Sequence, residues 1–162
     1  MSEGRNADAI ALRPATAVDV DAVTAVVNAA YRVERFFVDG DRTDADEVRS
    51  LLATGSFLVA DEGRIVGSVY VEIRGARGYF ALLAVAPERK GSGLGRRLVA
   101  AAEDYCRAAG CTDVDIEIVN LRAELPRFYH SLGYAETGTA PFPEDTPTKQ
   151  PCHFVTMSKR LR

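Results

Sequence analysis

Two hydrophobic periods take turns along this chain, and their order sketches strands and helices in alternation. Ala9-Ile10-Ala11-Leu12-Arg13 is short, apolar and closed by Pro14, which predicts a first strand. Val20, Val23, Val26, Val27 and Ala30 then recur at helical spacing behind Thr16 and Asp19, whose separation suits a capping box. That helix fades near Tyr31. A second helix is expected behind Thr43 and Asp46, carrying Val48, Leu51 and Leu52 and ended by Gly55. Between them Val33–Thr43 reads as a loop, with Phe36 and Phe37 set among Glu34, Asp39, Asp41 and Arg42. The phenylalanines suit either an acceptor pocket or a core plug, and at least half of those charges suit a solvated face. Residues 1–7 read as a loose tail.

The period then shortens. Phe57–Asp61 and Arg64–Ile73 flank Glu62-Gly63, a tight-turn signal, and predict an antiparallel hairpin. Gly75–Gly78 permits another reversal into Tyr79–Ala86, an apolar run without alternation, as expected of a strand covered on both faces. Pro87 ends it, because proline has no N–H for the ladder. Leu94, Leu98, Ala101, Ala102 and Tyr105 form a helical stripe, and Gly110 supplies its stop. Thr112–Val119 is the next strand, reached through a helix and therefore parallel to its predecessor. Its Val114, Ile116 and Ile118 point one way, and Asp113, Asp115 and Glu117 the other. Pro126 opens a short helix that Gly133 ends, Ala135–Gly138 begins a sixth strand, and Cys152–Lys159 is the last. The proline-rich loop Pro141–Pro151 is long enough to suggest function or an oligomer contact. The order predicts an α/β fold, a mixed and mostly antiparallel twisted sheet, in one domain over residues 1–162.

Composition narrows the classes. With 162 residues, 47% of them hydrophobic, the chain can bury one sizeable core. A formal net charge of −3 argues against a general nucleic-acid binder and leaves a cationic acceptor open. No apolar run approaches the roughly 20 residues needed to cross a bilayer. Met1–Asp8 lacks the hydrophobic core of a secretory signal, so a cytoplasmic location is expected. Cys106, Cys111 and Cys152 form no CxxC pair and there are only two histidines, so neither a disulfide framework nor a metal site is indicated.

The chemistry concentrates in Glu88-Arg-Lys90-Gly91-Ser92-Gly93-Leu94-Gly95-Arg96-Arg97, between the central strand and its helix. A glycine turn at a helix N-terminus presents unpaired N–H groups and the positive end of the dipole. Arg89, Lys90, Arg96 and Arg97 surround it, so the site suits a phosphorylated ligand. A Walker A loop would need Gly-Lys-Ser/Thr where Gly95 is followed by two arginines. The dinucleotide pattern fails from either start, meeting Arg96 or Leu98 where a glycine is required. In the acidic row, Glu117 lies deepest and could bind an ammonium acceptor or take its proton; Glu72, on the hairpin strand, is a similar candidate. His153 suits a proton relay or a structural place at a sheet edge.

Leu83–Arg96 resembles the acetyl-CoA site of the GNAT superfamily of N-acetyltransferases, whose usual form is Arg/Gln-x-x-Gly-x-Gly/Ala. Gly93 and Gly95 fit, and Lys90 holds the leading position, keeping the charge without the planar fork. Asn120 with Phe128-Tyr129-His-Ser-Leu-Gly133-Tyr134 resembles the segment that follows the fifth strand in the same enzymes. The resemblance implies about seven strands with a central parallel pair that splays apart, and about four helices. It implies that backbone groups of Leu83 and Val85 pair with the pantetheine arm and that amides from Gly91 through Arg96 (Gly91, Ser92, Gly93, Leu94, Gly95, Arg96) bind the pyrophosphate. Asn120 would help hold the arm, and Tyr129 would lie near the thioester sulfur as general acid. The implied activity is acetyl transfer from acetyl-CoA to a primary amine by direct attack in a ternary complex. The alternatives are a non-catalytic acyl-CoA-binding sensor or partner module of the same fold, and a nucleotide-binding protein. Polyamines, amino acids, antibiotic amines and protein N-termini all remain as small-molecule or peptide acceptors, and a homodimer follows only by analogy.

Overall fold

A computed structural model of the chain describes residues 10–162; the tail expected over 1–7, and Ala9, lie outside the described residues. The alternating periods become β1 (Ala11–Pro14), α1 (Val20–Ala30), α2 (Ala45–Thr54), β2 (Ser56–Asp61), β3 (Ile65–Arg74) and β4 (Arg77–Val85). Then follow α3 (Leu94–Ala108), β5 (Asp113–Val119), α4 (Leu125–His130), β6 (Ala135–Pro141) and β7 (His153–Arg160). The strands form one seven-stranded sheet in the order β1-β2-β3-β4-β5-β7-β6. Every neighbouring pair is antiparallel except β4 and β5, the pair joined through α3. The expected mixed sheet with a central parallel pair is the observed one.

Helices cover the sheet on opposite sides. Gly67 of β3 faces α3, where an added Cβ would crowd Leu94 and Leu98. Tyr70, an odd number of residues away and so pointing the other way, shares a 2.9 Å hydrogen bond with Thr54 of α2. Leu94, Leu98, Val99, Ala102 and Cys106 carry the buried stripe of α3, while Tyr105 is half-buried and bonds Ser56 at 2.9 Å. Glu103 is also buried on that stripe, accepting from the Tyr134 hydroxyl at 2.8 Å and from Lys159 at 3.1 Å. A buried carboxylate is tolerated there because partners from β7 and the chain before β6 satisfy it.

Three local expectations are corrected. The cap of α2 is Asp44, whose carboxylate accepts from the Glu47 N–H at 2.8 Å, one residue later than the expected Thr43 and Asp46. Thr43 is engaged elsewhere: its N–H donates to Asn28 Oδ1 at 2.9 Å and its carbonyl accepts from Asn28 Nδ2 at 3.0 Å. The segment expected as loop begins with a 3₁₀ turn, Tyr31–Phe36, continuing directly from α1. Finally, β4 is not equally covered on its two sides. Phe80, Leu82 and Ala84 are buried, whereas Tyr79, Ala81, Leu83 and Val85 are only half-buried. An extra residue also interrupts its pairing: Tyr70 faces Ala81 but Ser68 faces Ala84, and Leu82 in the resulting bulge has φ +56°.

Candidate active site

The site begins where a ladder stops. Parallel pairing of β4 with β5 covers Arg77, Gly78 and Tyr79 against Asp113, Val114 and Asp115, and goes no further among the described residues. Beyond it β5 stays paired with β7 through Val119. The β5-facing edge of 80–85 therefore has no strand partner, and backbone polar groups there are open to a ligand. This divergence opens a cleft of about 880 Å³, lined by Leu83 and Val85 of β4, the turn before α3, and α4.

The turn is shaped for an anion. After a 3₁₀ turn over Pro87–Arg89, Gly91 and Gly93 take φ of +78° and +85°, a left-handed backbone that costs a side-chain-bearing residue about 1–2 kcal/mol. Neither would bring an added Cβ within 4 Å of any atom, so the space before the turn is open. Gly93 is the N-cap of α3, and the first helical amides face a cleft that also holds Gly95, Lys90 and Arg96. Ser92 is spent locally: its hydroxyl accepts from the Leu94 N–H at 3.4 Å. Of the basic group, Arg89 is bound to Glu62, and Arg97 reaches the Ile10 carbonyl at 3.1 Å. Arg96 donates to Ser131 Oγ at 3.0 Å, tying the start of α3 to the end of α4.

Tyr129 enters from α4. Its ring is buried against Phe80, Phe128 and Tyr134, with centroids 6.1, 4.9 and 5.7 Å away. It lines the cleft, and its hydroxyl makes no hydrogen bond among the described residues. Burial raises its pKa well above the ordinary tyrosine value, Tyr31 adds to the rise, and Arg122 opposes it. The phenol keeps its proton across the working pH range, as a donor must.

Residues 24–134 match the model of the acetyltransferase (GNAT) family. The chain belongs to that family. A curated relative is blasticidin-S acetyltransferase of Streptomyces morookaense, 30% identical over 101 residues that span 62% of this chain and 73% of the relative. Among solved structures, yncA of Salmonella typhimurium with its cofactor acetyl-CoA superposes with a TM-score of 0.72 at 24% identity, over 95% of each chain. The ribosomal-protein-S18-alanine N-acetyltransferase of Escherichia coli does so at 0.75 and 15% identity, over 93% of each. The chain is thus a GNAT acetyltransferase, with acetyl-CoA as its cosubstrate. A cleft with a partnerless strand edge, open glycine amides and basic side chains fits that donor.

A second cavity of about 280 Å³ adjoins the acetyltransferase cleft, and Tyr31 lines both. Its floor is apolar, from Val119, Phe142 and Phe154, the two rings 5.1 Å apart. Glu34, Asp39, Asp41 and Arg42 all line it. Asp39 and Asp41 are exposed and paired, with Lys149 at 3.1 Å and Arg35 at 3.3 Å. Arg42 lies over the Tyr31 ring, 5.6 Å from its centroid. Burial and Glu34 raise the Tyr31 hydroxyl, Arg42 and Arg122 lower it, and the net effect pushes it up to about 12. The proline-rich loop forms the far wall through Pro143 and Thr146, and Lys149 of that loop bonds the Phe37 and Arg35 carbonyls at 2.8 and 3.0 Å.

The sequence-expected residues divide by place. Leu83, Val85, Lys90, Gly91, Gly93, Leu94, Gly95, Arg96 and Tyr129 meet around the cleft; Ser92, Asn120 and Glu117 do not line it. Asn120 joins strands instead, accepting from the His153 N–H at 2.8 Å through its side chain while its own N–H donates to the His153 carbonyl at 2.9 Å. Glu117 is exposed, 3.5 Å from the Tyr79 hydroxyl, and lines neither cavity. Burial, with Glu117 adding to it, pushes that hydroxyl up to about 12. Glu72 pairs with Arg74 at 2.8 Å. Phe37 is fully buried and Phe36 half exposed, and neither lines the cleft or the second cavity. The residues that reading missed are Tyr31, Arg122, Glu124 and Arg127 in the cleft and Leu82 in the bulge. Only Arg122 and Arg127 carried a signal, as cations flanking the Phe128-Tyr129 motif.

Proposed function

We propose that this enzyme transfers the acetyl group of acetyl-CoA to a primary amine by direct attack, with both substrates bound together. One observation carries the reading: the partnerless edge of β4, the glycine amides of α3 and Tyr129 border one continuous cleft, and a second cavity shares Tyr31 with it as a wall. In this reading the backbone of Leu83 and Val85 pairs with the pantetheine arm. Amides of Gly91, Ser92, Gly93, Leu94, Gly95 and Arg96, with Lys90, hold the pyrophosphate, and Asn120 offers its remaining amide group to the arm. The amine occupies the second cavity, which the expected acidic residue Glu117 does not line.

A partnerless N–H of β4 stabilises the negative charge that develops on the carbonyl oxygen during attack. Tyr129 gives a proton to the departing thiolate sulfur. A raised pKa would make this donation uphill to a thiolate in water, but the burial that raises the phenol raises the thiolate's basicity too. Residues 1–162 then form one acetyltransferase domain of the cytoplasm, alone or as a homodimer.

Calorimetric titration with acetyl-CoA, CoA and ATP tests the cleft, and thiol release with an amine panel tests the reaction. Blasticidin S comes first in that panel because a relative acts on it. Micromolar binding of acetyl-CoA with thiol release is the expected result. Binding without release from any amine would favour the sensor module, and tight ATP binding without CoA binding would favour a nucleotide site.

A further inference from the structure

Acetyl transfer needs a group that takes a proton from an ammonium, and Glu117, exposed and outside both cavities, is poorly placed to do so. We propose that Glu34 receives the proton of the acceptor's ammonium, held by Arg122 at the boundary between the two cavities. The inference rests on the acetyltransferase reading and names a residue within it.

The geometry is specific to this pair. Glu34 lines the second cavity, whereas Arg122 and Glu124 line the cleft. Arg122 Nη1 donates to Glu34 Oε2 at 3.0 Å and Nε donates to Glu124 Oε2 at 2.8 Å, so the guanidinium spans the boundary. The side chains of Glu34 and Arg122 are only 14% and 15% exposed. Oε1 of Glu34 takes part in no hydrogen bond among the described residues, which leaves one lone-pair-bearing oxygen for a ligand. The charged and titratable groups facing this carboxylate are Arg122 and Arg42, which favour its anion, and Glu124 and Tyr31. Asp39, Asp41 and Glu47 share its cavity.

Burial raises the Glu34 pKa above the ordinary glutamate value, and the hydrogen bond and charge of Arg122 only partly offset it. A carboxylate moved toward neutrality is the stronger base. In the step, an ammonium N–H bond breaks, the proton goes to Oε1, and the electron pair remains on nitrogen. That pair forms the new C–N bond as the C–S bond breaks. Tyr129 protonates the sulfur and recovers a proton from the new amide nitrogen, and Glu34 returns its proton to water.

The test uses the full chain with acetyl-CoA and blasticidin S. Glu34→Gln keeps an oxygen for Arg122, so acetyl-CoA affinity should hold. Turnover should fall by about a hundredfold or more, and the acid limb of the kcat/KM profile should vanish. Arg122→Gln removes a cation that favours the Glu34 anion, so the same limb should move to higher pH. A carboxylate that only staples the Tyr31–Phe36 turn to the chain after β5 would leave both limbs in place, and that result overturns the proposal. Should blasticidin S prove a poor acceptor, carboxyl ¹³C NMR of glutamate-labelled protein with acetyl-CoA bound tests the ionisation that the role requires. The resonance lost in Glu34→Gln must titrate above an ordinary glutamate and rise further in Arg122→Gln; titration at or below the ordinary value overturns the proposal. Failure of wild-type protein to bind acetyl-CoA at all would count against the acetyltransferase reading instead.

Discussion

Replacing Gly93 with alanine separates two roles of the turn, provided that Gly110→Ala is measured beside it. Both glycines have left-handed backbone, with φ of +85° and +88°, and a Cβ at either would meet no atom within 4 Å. The cost of folding is therefore strain alone, about 1–2 kcal/mol in each variant. For a chain of this length that lowers Tm by about 2–8 °C, equally for the two. Only Gly93 lines the cleft, where its new methyl stands before the first amides of α3. Blocking one charge-assisted hydrogen bond to an anion is worth about 1.5–3 kcal/mol. Acetyl-CoA should then bind about tenfold to a hundredfold more weakly to Gly93→Ala and with unchanged affinity to Gly110→Ala. Thermal melts fix the strain and calorimetry fixes the affinity. Equal dissociation constants for the two variants would refute the anion-binding role of the turn, whatever their stabilities.

Tyr129→Phe removes a hydroxyl with no protein partner among the described residues, so Tm and acetyl-CoA affinity should hold while turnover falls by about a hundredfold or more. Unchanged thiol release in that variant would take Tyr129 out of the chemistry. Glu103→Ala strands the Lys159 ammonium and the Tyr134 hydroxyl, and should cost about 3 kcal/mol in urea unfolding with an unchanged slope. A loss under about 1 kcal/mol would show that those two groups find water instead. Asp19 is held near pKa 2, below its ordinary 3.8, by hydrogen bonds from Arg13 and the Thr16 N–H. A depressed carboxyl contributes stability above its unfolded value and loses it as pH falls through the folded one. The stability gap between wild type and Asp19→Asn should therefore be full at pH 7 and close between about pH 4 and pH 2; a gap constant over that range contradicts the assignment.

The fold was legible because its signals are local. Thr16 and Asp19, Gly63, Gly110 and Gly133 each mark an element boundary by backbone chemistry that no tertiary partner has to confirm, whereas Gly55 is required by β3, whose Val71 carbonyl and Tyr70 ring leave no room for a Cβ. The glycine turn was legible for the same reason: its spacing excludes two nucleotide motifs and keeps a third possibility. What escaped depends on residues distant in sequence. Glu34 reads as one more surface charge until Arg122, 88 residues later, is packed against it. Leu82 gives no sign of φ +56°, because leucine rarely adopts it and the bulge is imposed by pairing with β3. Asn120 shows the converse: its place after β5 was readable, but not that the side-chain oxygen would be spent on His153.

The short parallel seam has a mechanical consequence. Among the described strands, β1–β4 are joined to β5–β7–β6 by three residue pairs, reinforced by the fork of Arg77 on Asp115 with both contacts at 2.7 Å. The cleft is the notch of an arrested tear, with its tip pinned at Tyr79 and Asp115. Where it begins is set by where the ladder ends. A ligand lying along the free edge of β4 lengthens the joint, so that occupancy would register as stiffness between the two halves of the sheet before any side chain had moved.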